Sequence, residues 1–154
     1  MTAIGPAPSI DETVYPMPSF VTFSCPDIEA TSTWWQVAGF IVLARMPGGL
    51  VHLRRLRHQD VLLAPGPPSP GGGRYSVAAG EDDLQRRADA LREAYPHLAT
   101  HGPADTAWFT RDVVATDPDG HVLVLTSPRV NEAMADQRWV DTVRDSLRSG
   151  SVEH

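Results

Sequence analysis

An α+β fold of two βαβββ modules, followed by a C-terminal helix, is what this 154-residue sequence predicts. Three observations carry the prediction. A strand–helix–strand–strand–strand order occurs twice, with a period of roughly 55 residues. A run of prolines and glycines separates the two copies. The second copy closes on Asp117-Pro118-Asp119-Gly120, turn chemistry flanked by the β-branched runs 113–115 and 122–125, which marks a hairpin.

Residues 1–18 carry four of the 14 prolines and no periodicity, and read as an extended arm, disordered or laid across a partner. Residues 19–25 are β-branched and aromatic and predict a strand, which Pro26 ends. Asp27 is placed to cap a helix running to about Ala38, with Gly39 as its stop. Ile28 and Trp35 fall on one side of that helix, and Ala30, Trp34 and Val37 near the other, the pattern of a well-buried helix. Strands at 40–45, 50–56 and 61–64, with a turn at Pro47-Gly48-Gly49, complete module 1 at 19–65.

Residues 66–73 are the linker. Module 2, residues 74–128, restarts with a strand at 74–79 and a helix at 81–95, where Leu84, Ala88, Leu91 and Tyr95 recur at steps of four, three and four. Its acidic first turn, Glu81-Asp82-Asp83, suits the positive end of the helix dipole. A short strand near Leu98, one from about Trp108 and one at 122–126 follow. Residues 129–154 hold a helix from an Asn131 cap to about Arg148. Its stripe of Ala135, Trp139, Val143 and Leu147 needs a surface, on its own module or on a second subunit.

The net charge of −6 argues against a nucleic-acid partner, which requires a basic face. No apolar run approaches the ~20 residues of a membrane span. Nothing at the N-terminus resembles a signal peptide, and Cys25 is the single cysteine, so no intrachain disulfide is expected and a cytoplasmic location is. Cys25 itself reads as a small buried residue at a strand end. All 13 basic residues are Arg, which excludes Schiff-base chemistry by a lysine.

The run Asp-Pro-Asp-Gly-x-x-x-(acid)-Leu at 117–125 resembles the last hairpin of the vicinal oxygen chelate superfamily, which holds glyoxalases, extradiol dioxygenases and bleomycin-type resistance proteins. The entry of module 1, Asp27-Ile28 before paired tryptophans and then Gly39-Phe40, is similar to that family as well. The resemblance covers roughly residues 19–128. In the family's metalloenzymes the fourth residue after the glycine is a metal-binding Glu; here it is Val124. The other three implied ligand positions fall at Phe20, at Leu63 (Leu62 if the register slips by one) and at Ser76 (or Tyr75). None of these side chains suits a hard or borderline cation. The resemblance therefore implies a site without metal, and no cofactor is expected. The six histidines read as packing or solvent-facing, and Asp117 and Asp119 as turn residues bonded to backbone.

What replaces the metal centre is an apolar trough lined by Phe20, Leu63 and Val124. Thr22 and Ser24 share the phase of Phe20. A three-residue hairpin loop sets Val114 opposite Val124, whereas a two-residue loop would set Val113 there. On the three-residue register Trp108, Thr110, Asp112 and Val114 face the trough, and Phe109, Arg111 and Val113 face the helix side. Trp108 then offers a stacking surface, and Asp112 a partner for a cationic or hydroxyl-bearing ligand. The proline-rich arm and the stripe of the C-terminal helix predict a homodimer, and the resemblance to the bleomycin-resistance branch implies metal-free sequestration of an apolar or aromatic small molecule such as an antibiotic. A metal-independent isomerase, lyase or cyclase is the alternative.

Overall fold

The computed structural model describes residues 10–14, 17–68 and 72–149, with side chains as far as Ser146. Parts of the expected arm and linker, the final tail and the side chain of Leu147 lie outside the described residues. Module 1 contains β1 (Phe20–Cys25), α1 (Ile28–Val37), β2 (Ile41–Arg45), β3 (Val51–Arg55) and β4 (Gln59–Pro65). Module 2 contains β5 (Arg74–Ala78), α2 (Glu81–Ala94), β6 (Thr100–Asp105), β7 (Thr110–Thr116) and β8 (Val122–Pro128). Each module forms one sheet, in the orders β1-β4-β3-β2 and β5-β8-β7-β6. The first and last strands of each module pair in parallel, with the helix as part of the crossover, and the hairpins pair antiparallel.

Side-chain alternation decides which face of each sheet is covered. In β1, Val21, Phe23 and Cys25 turn inward while Phe20, Thr22 and Ser24 turn outward. The inner faces of both sheets, with Trp34 and Trp35 of α1 and Leu84, Ala88 and Leu91 of α2, form one hydrophobic cluster. Asp27 caps α1 as its sequence predicts, accepting from the Ala30 N–H at 3.1 Å, and Gly39 follows with φ +112°.

The closing hairpin takes the three-residue register: the Asp117 N–H donates to the His121 carbonyl, Gly120 sits at φ +88°, and Val114 pairs with Val124. The turn also joins the modules. Asp117 accepts four hydrogen bonds, two on Oδ1 from the backbone N–H of Asp119 and His121 and two on Oδ2 from Trp35 Nε1 and His121 Nδ1, all at 2.9–3.0 Å. Asp119 accepts from the Thr31 hydroxyl at 2.5 Å, and the His121 ring stacks on Phe23 with centroids 4.3 Å apart. A second joint lies at the far end of β3, where Arg55 bonds Ala78 O and Asp83. Burial alone would raise Asp83, but bonds from Arg86 and Arg55 reverse that and hold its carboxyl below the ordinary value.

Four sequence expectations are corrected. Leu63 pairs with Phe23 and Val51 and is fully buried in the core; Leu62, the alternative register, shares the outward phase of Thr22. The second strand of module 2 lies at Thr100–Asp105 rather than near Leu98, because the Tyr95–Leu98 turn delays it. β7 begins at Thr110, and Trp108 belongs to the preceding turn, which the Thr106 hydroxyl holds by accepting the Thr110 N–H at 3.1 Å. The C-terminal helix is two, α3 (Val130–Ala135) and α4 (Gln137–Ser149). Asn131 does not cap; Asp136 interrupts and caps the second helix through the Trp139 N–H at 2.9 Å. Trp139 docks edge-on against Phe109, while Met134 and Val143 remain exposed.

Candidate functional site

The residues expected to line one trough sit on two sheets. Phe20, Thr22 and Ser24 lie on the outer face of the first, and Ser76, Thr110, Asp112, Val114 and Val124 on the outer face of the second. Trp108 is well exposed in its turn, and the strand phase expected for it does not apply. Leu63 belongs to the core.

The two hairpins superpose by counting. β3–β4 turns through residues 56–58 with Arg55 opposite Gln59, and β7–β8 through 118–120 with Asp117 opposite His121. Leu62 is therefore the counterpart of Val124. Thr22, paired with Leu62, is the counterpart of Ser76, paired with Val124. On this equivalence the four central outer positions are Thr22, Leu62, Ser76 and Val124. The correction moves two residues from the positions counted in the sequence, and still supplies no imidazole, thiolate or carboxylate. These positions do not fit a metal.

A different group, Asp117, Asp119 and His121, brings its donor atoms within 4.8 Å of one another. Its chemistry is already committed. Both oxygens of Asp117 accept two N–H donors each, and Asp119 takes the Thr31 hydroxyl. A cation there would have to displace the bonds that seat α1 on the hairpin, so this cluster is a structural joint.

On the second sheet, the row Ser76–Val124–Val114–His101 crosses the outer face, with the row Ala78–Thr126–Asp112–Ala104 beside it. Asp112 is flanked on its two neighbouring strands by small residues, Ala104 and Thr126. Its Oδ1 is buried and has no hydrogen-bond partner among the described residues. A carboxylate oxygen shielded from water and left without a donor is costly, on the order of 1–3 kcal/mol or more. The neighbouring Thr110 is less available: its hydroxyl meets that of Thr106 at 2.9 Å and helps close the turn that carries Trp108.

On the first sheet the outer face carries residues the sequence reading passed over. His52, Arg54 and Asp60 are all fully buried. Asp60 Oδ1 accepts from His52 Nε2 at 2.9 Å and from Arg54 Nε at 2.5 Å, and Oδ2 accepts from Arg54 at 3.3 Å. The remaining guanidinium donors reach the main-chain carbonyls of Asp11, of Thr13 at 2.6 Å and of Val14 at 3.3 Å. The described part of the N-terminal arm thus lies on its own chain. The signal was present in the alternation, since His52 and Arg54 share a phase and Asp60 lies opposite Arg54. Starting β4 at Val61 concealed it.

Cys25 is inert on geometry and charge: burial, reinforced by Asp119, pushes its thiol up to about 11.

No family model matches the chain, and no curated protein does. Solved structures do. An integron cassette protein from the mobile metagenome of the Halifax Harbour sewage outfall aligns over 70% of this chain and 95% of its own, with TM-score 0.60 and 20% identity. A bleomycin-binding protein complexed with bleomycin aligns over 71% and 96%, with TM-score 0.56 and 17% identity. Lactoylglutathione lyase from Agrobacterium tumefaciens aligns over 75% and 97%, with TM-score 0.56 and 17% identity. The chain has the vicinal oxygen chelate fold, as its hairpin implies.

Proposed function

We propose that this chain is a metal-free small-molecule-binding protein whose ligand lies on the outer face of the second sheet. The observation that carries the reading is the Oδ1 of Asp112, without a partner among the described residues and set among small residues on a face whose Ser76 and Val124 positions supply no imidazole, thiolate or carboxylate. An exposed Trp108 at the turn beside β7 adds a flat stacking surface. The ligand is then a largely apolar or aromatic compound with one donor group aimed at Asp112. The structural likeness to a bleomycin-binding protein supports sequestration of an antibiotic-like molecule and makes bleomycin the first compound to test.

Phe20, Thr22 and Ser24 enter the same reading through a second copy. Phe20 is half exposed on the first sheet's edge strand, and Met134 and Val143 are exposed on the C-terminal helices. A homodimer would cover these surfaces and set one copy's first sheet against the other's second. Light scattering at micromolar concentration should give twice the 16.8 kDa chain mass.

Fluorescence titration of the full chain with bleomycin and with a set of aromatic antibiotics tests the binding. Sequestration predicts saturable quenching or enhancement with the ligand recovered unchanged. Asp112 is also the carboxylate that a metal-independent isomerase or lyase would use. A new product whose formation stops in Asp112→Asn would replace the binding reading with that one. Elemental analysis after dialysis should find no stoichiometric transition metal; one metal per chain would contradict the proposed site.

A further inference from the structure

The β6–β7 turn and the closing hairpin are the same three-residue loop built from different residues. In the closing hairpin the Asp117 N–H donates to the His121 carbonyl at 2.8 Å and the Gly120 N–H to the Asp117 carbonyl at 3.1 Å, while the Asp117 side chain accepts the His121 N–H at 2.9 Å. In the β6–β7 turn the Thr106 N–H donates to the Thr110 carbonyl at 2.8 Å and the Phe109 N–H to the Thr106 carbonyl at 3.4 Å, while the Thr106 hydroxyl accepts the Thr110 N–H at 3.1 Å. The third loop position has a positive φ in both, +88° at Gly120 and +62° at Phe109. Glycine takes that backbone freely, whereas a bulky side chain there is strained. Such strain persists only where surrounding contacts over-determine the conformation. Here they come from the C-terminal segment. The Trp139 ring of α4 meets Phe109 edge-on with centroids 5.1 Å apart, and the Arg129 guanidinium lies 5.8 Å from the Phe109 centroid. The Arg129 N–H also donates to the Phe109 carbonyl at 2.8 Å.

We propose that Phe109 and Trp139 form a clasp through which the C-terminal helices hold Trp108 in place. Both are then positioning residues for the ligand site on the outer face of the second sheet, a role that rests on the reading of that face as the site. Trp108 is the middle residue of the loop, between Ala107 and Phe109, and is 60% exposed. Its own contacts hold it little, so its direction follows the backbone on either side of it. A stacking surface contributes most when it already stands in the bound geometry, because ordering a mobile loop on binding lowers affinity. A glycine at position 109 would form the turn without strain and leave α4 nothing to grip. The aromatic ring in that slot serves the link to α4, not the loop. Trp139 is itself fixed at the start of α4, where its N–H donates to the Asp136 side chain at 2.9 Å.

The test compares the full-length wild type with Trp139→Ala, Trp139→Phe and Phe109→Gly. NMR relaxation reads backbone order at residues 107–109 with no ligand present. Wild type should give order parameters of about 0.85 there, falling below about 0.6 in Trp139→Ala while the β7 and β8 amides stay rigid. Trp139→Phe, which keeps a ring against Phe109, should restore the order. Phe109→Gly relieves the strained φ and should free the other half of the clasp, seen as faster hydrogen exchange over α4. Bleomycin titration reads the consequence. Trp139→Ala should weaken binding by roughly threefold to tenfold, the span expected for losing the Trp108 ring itself. In a Trp108→Ala background the same substitution should change affinity by less than about twofold, because it acts through that ring. Unchanged order at 107–109 in Trp139→Ala, or unchanged α4 exchange in Phe109→Gly, overturns the clasp and leaves Trp139 a helix-packing residue. Undiminished weakening in the Trp108→Ala background overturns action through Trp108. Order and exchange are read without ligand, so bleomycin failing to bind the wild type would count against the second-sheet reading and not against the clasp.

Discussion

At three matched positions of the two sheets the chain places His52, Arg54 and Asp60 in module 1 and Val114, Thr116 and Val122 in module 2. The first set fills its outer face with a buried ionic group and draws residues 11–14 over it. The second set carries no ionisable group, and Asp112, in the row on the opposite side of Val114, has an oxygen left unmet among the described residues. One topology thus carries a carboxylate with its donors in place and another with an oxygen that no donor among the described residues meets. Burial of a carboxylate does not separate the two roles; the donors around it do. Asp60 has His52 and Arg54, and Asp117 has four donors, whereas Asp112 Oδ1 has none among the described residues.

The largest effect expected from this contrast is at Asp60. Asp60→Asn removes the counter-charge of a fully buried Arg54 and should cost about 3–5 kcal/mol in urea unfolding, since a buried ion loses its partner. Retained stability in that variant would dissolve the contrast from the structural side.

Asp83 gives the next effect. Its carboxyl is held below the ordinary value by Arg86 and Arg55 against the opposing influence of burial, so its contribution is complete above the unfolded carboxylate pKa of roughly 3.9. It is lost as pH falls through the lower folded value. Unfolding free energy should therefore drop below about pH 4, and the drop should be smaller in Asp83→Asn, which already lacks the bond from Arg55. An identical acid limb in the variant would mean that the Arg55–Asp83 joint does not couple the modules.

Smaller again is Trp108→Ala. The side chain is exposed, so stability should stay within about 0.5 kcal/mol. Loss of aromatic stacking, on the order of 0.5–1.5 kcal/mol, should weaken binding of an aromatic ligand by roughly threefold to tenfold. Equal affinity would confine the site to the sheet face and exclude the turn.

Much of the fold was legible in the sequence because its determinants are local. The Asp27 cap, the Gly39 stop and the Asp117–Gly120 turn each state a backbone conformation through residue type, and the order of elements follows from them. The hairpin register was legible for the same reason: a proline and a glycine two apart select a three-residue loop, and Val114 meets Val124. The candidate site was half legible. Phases read within one strand held, as for Thr22, Ser24 and Asp112. Phases transferred between modules slipped, placing Leu63 where Leu62 belongs, because no single residue in the 56–58 turn fixes its length as Gly120 does. The arm was illegible, since its bonds to Arg54 are made by main-chain carbonyls that any sequence would carry.

Paired unfolding and binding measurements on Asp112→Asn test the central claim most directly. If Asp112 is held for a ligand, replacing it removes an unmet charge from the free protein. Urea unfolding should then show stability equal to wild type or higher by up to about 1 kcal/mol. The same substitution should weaken a ligand that donates a charge-assisted bond by roughly tenfold or more. A loss of about 2 kcal/mol or more in the free protein, with ligand affinity unchanged, would make Asp112 another structural carboxylate and remove the second sheet's outer face as the binding site.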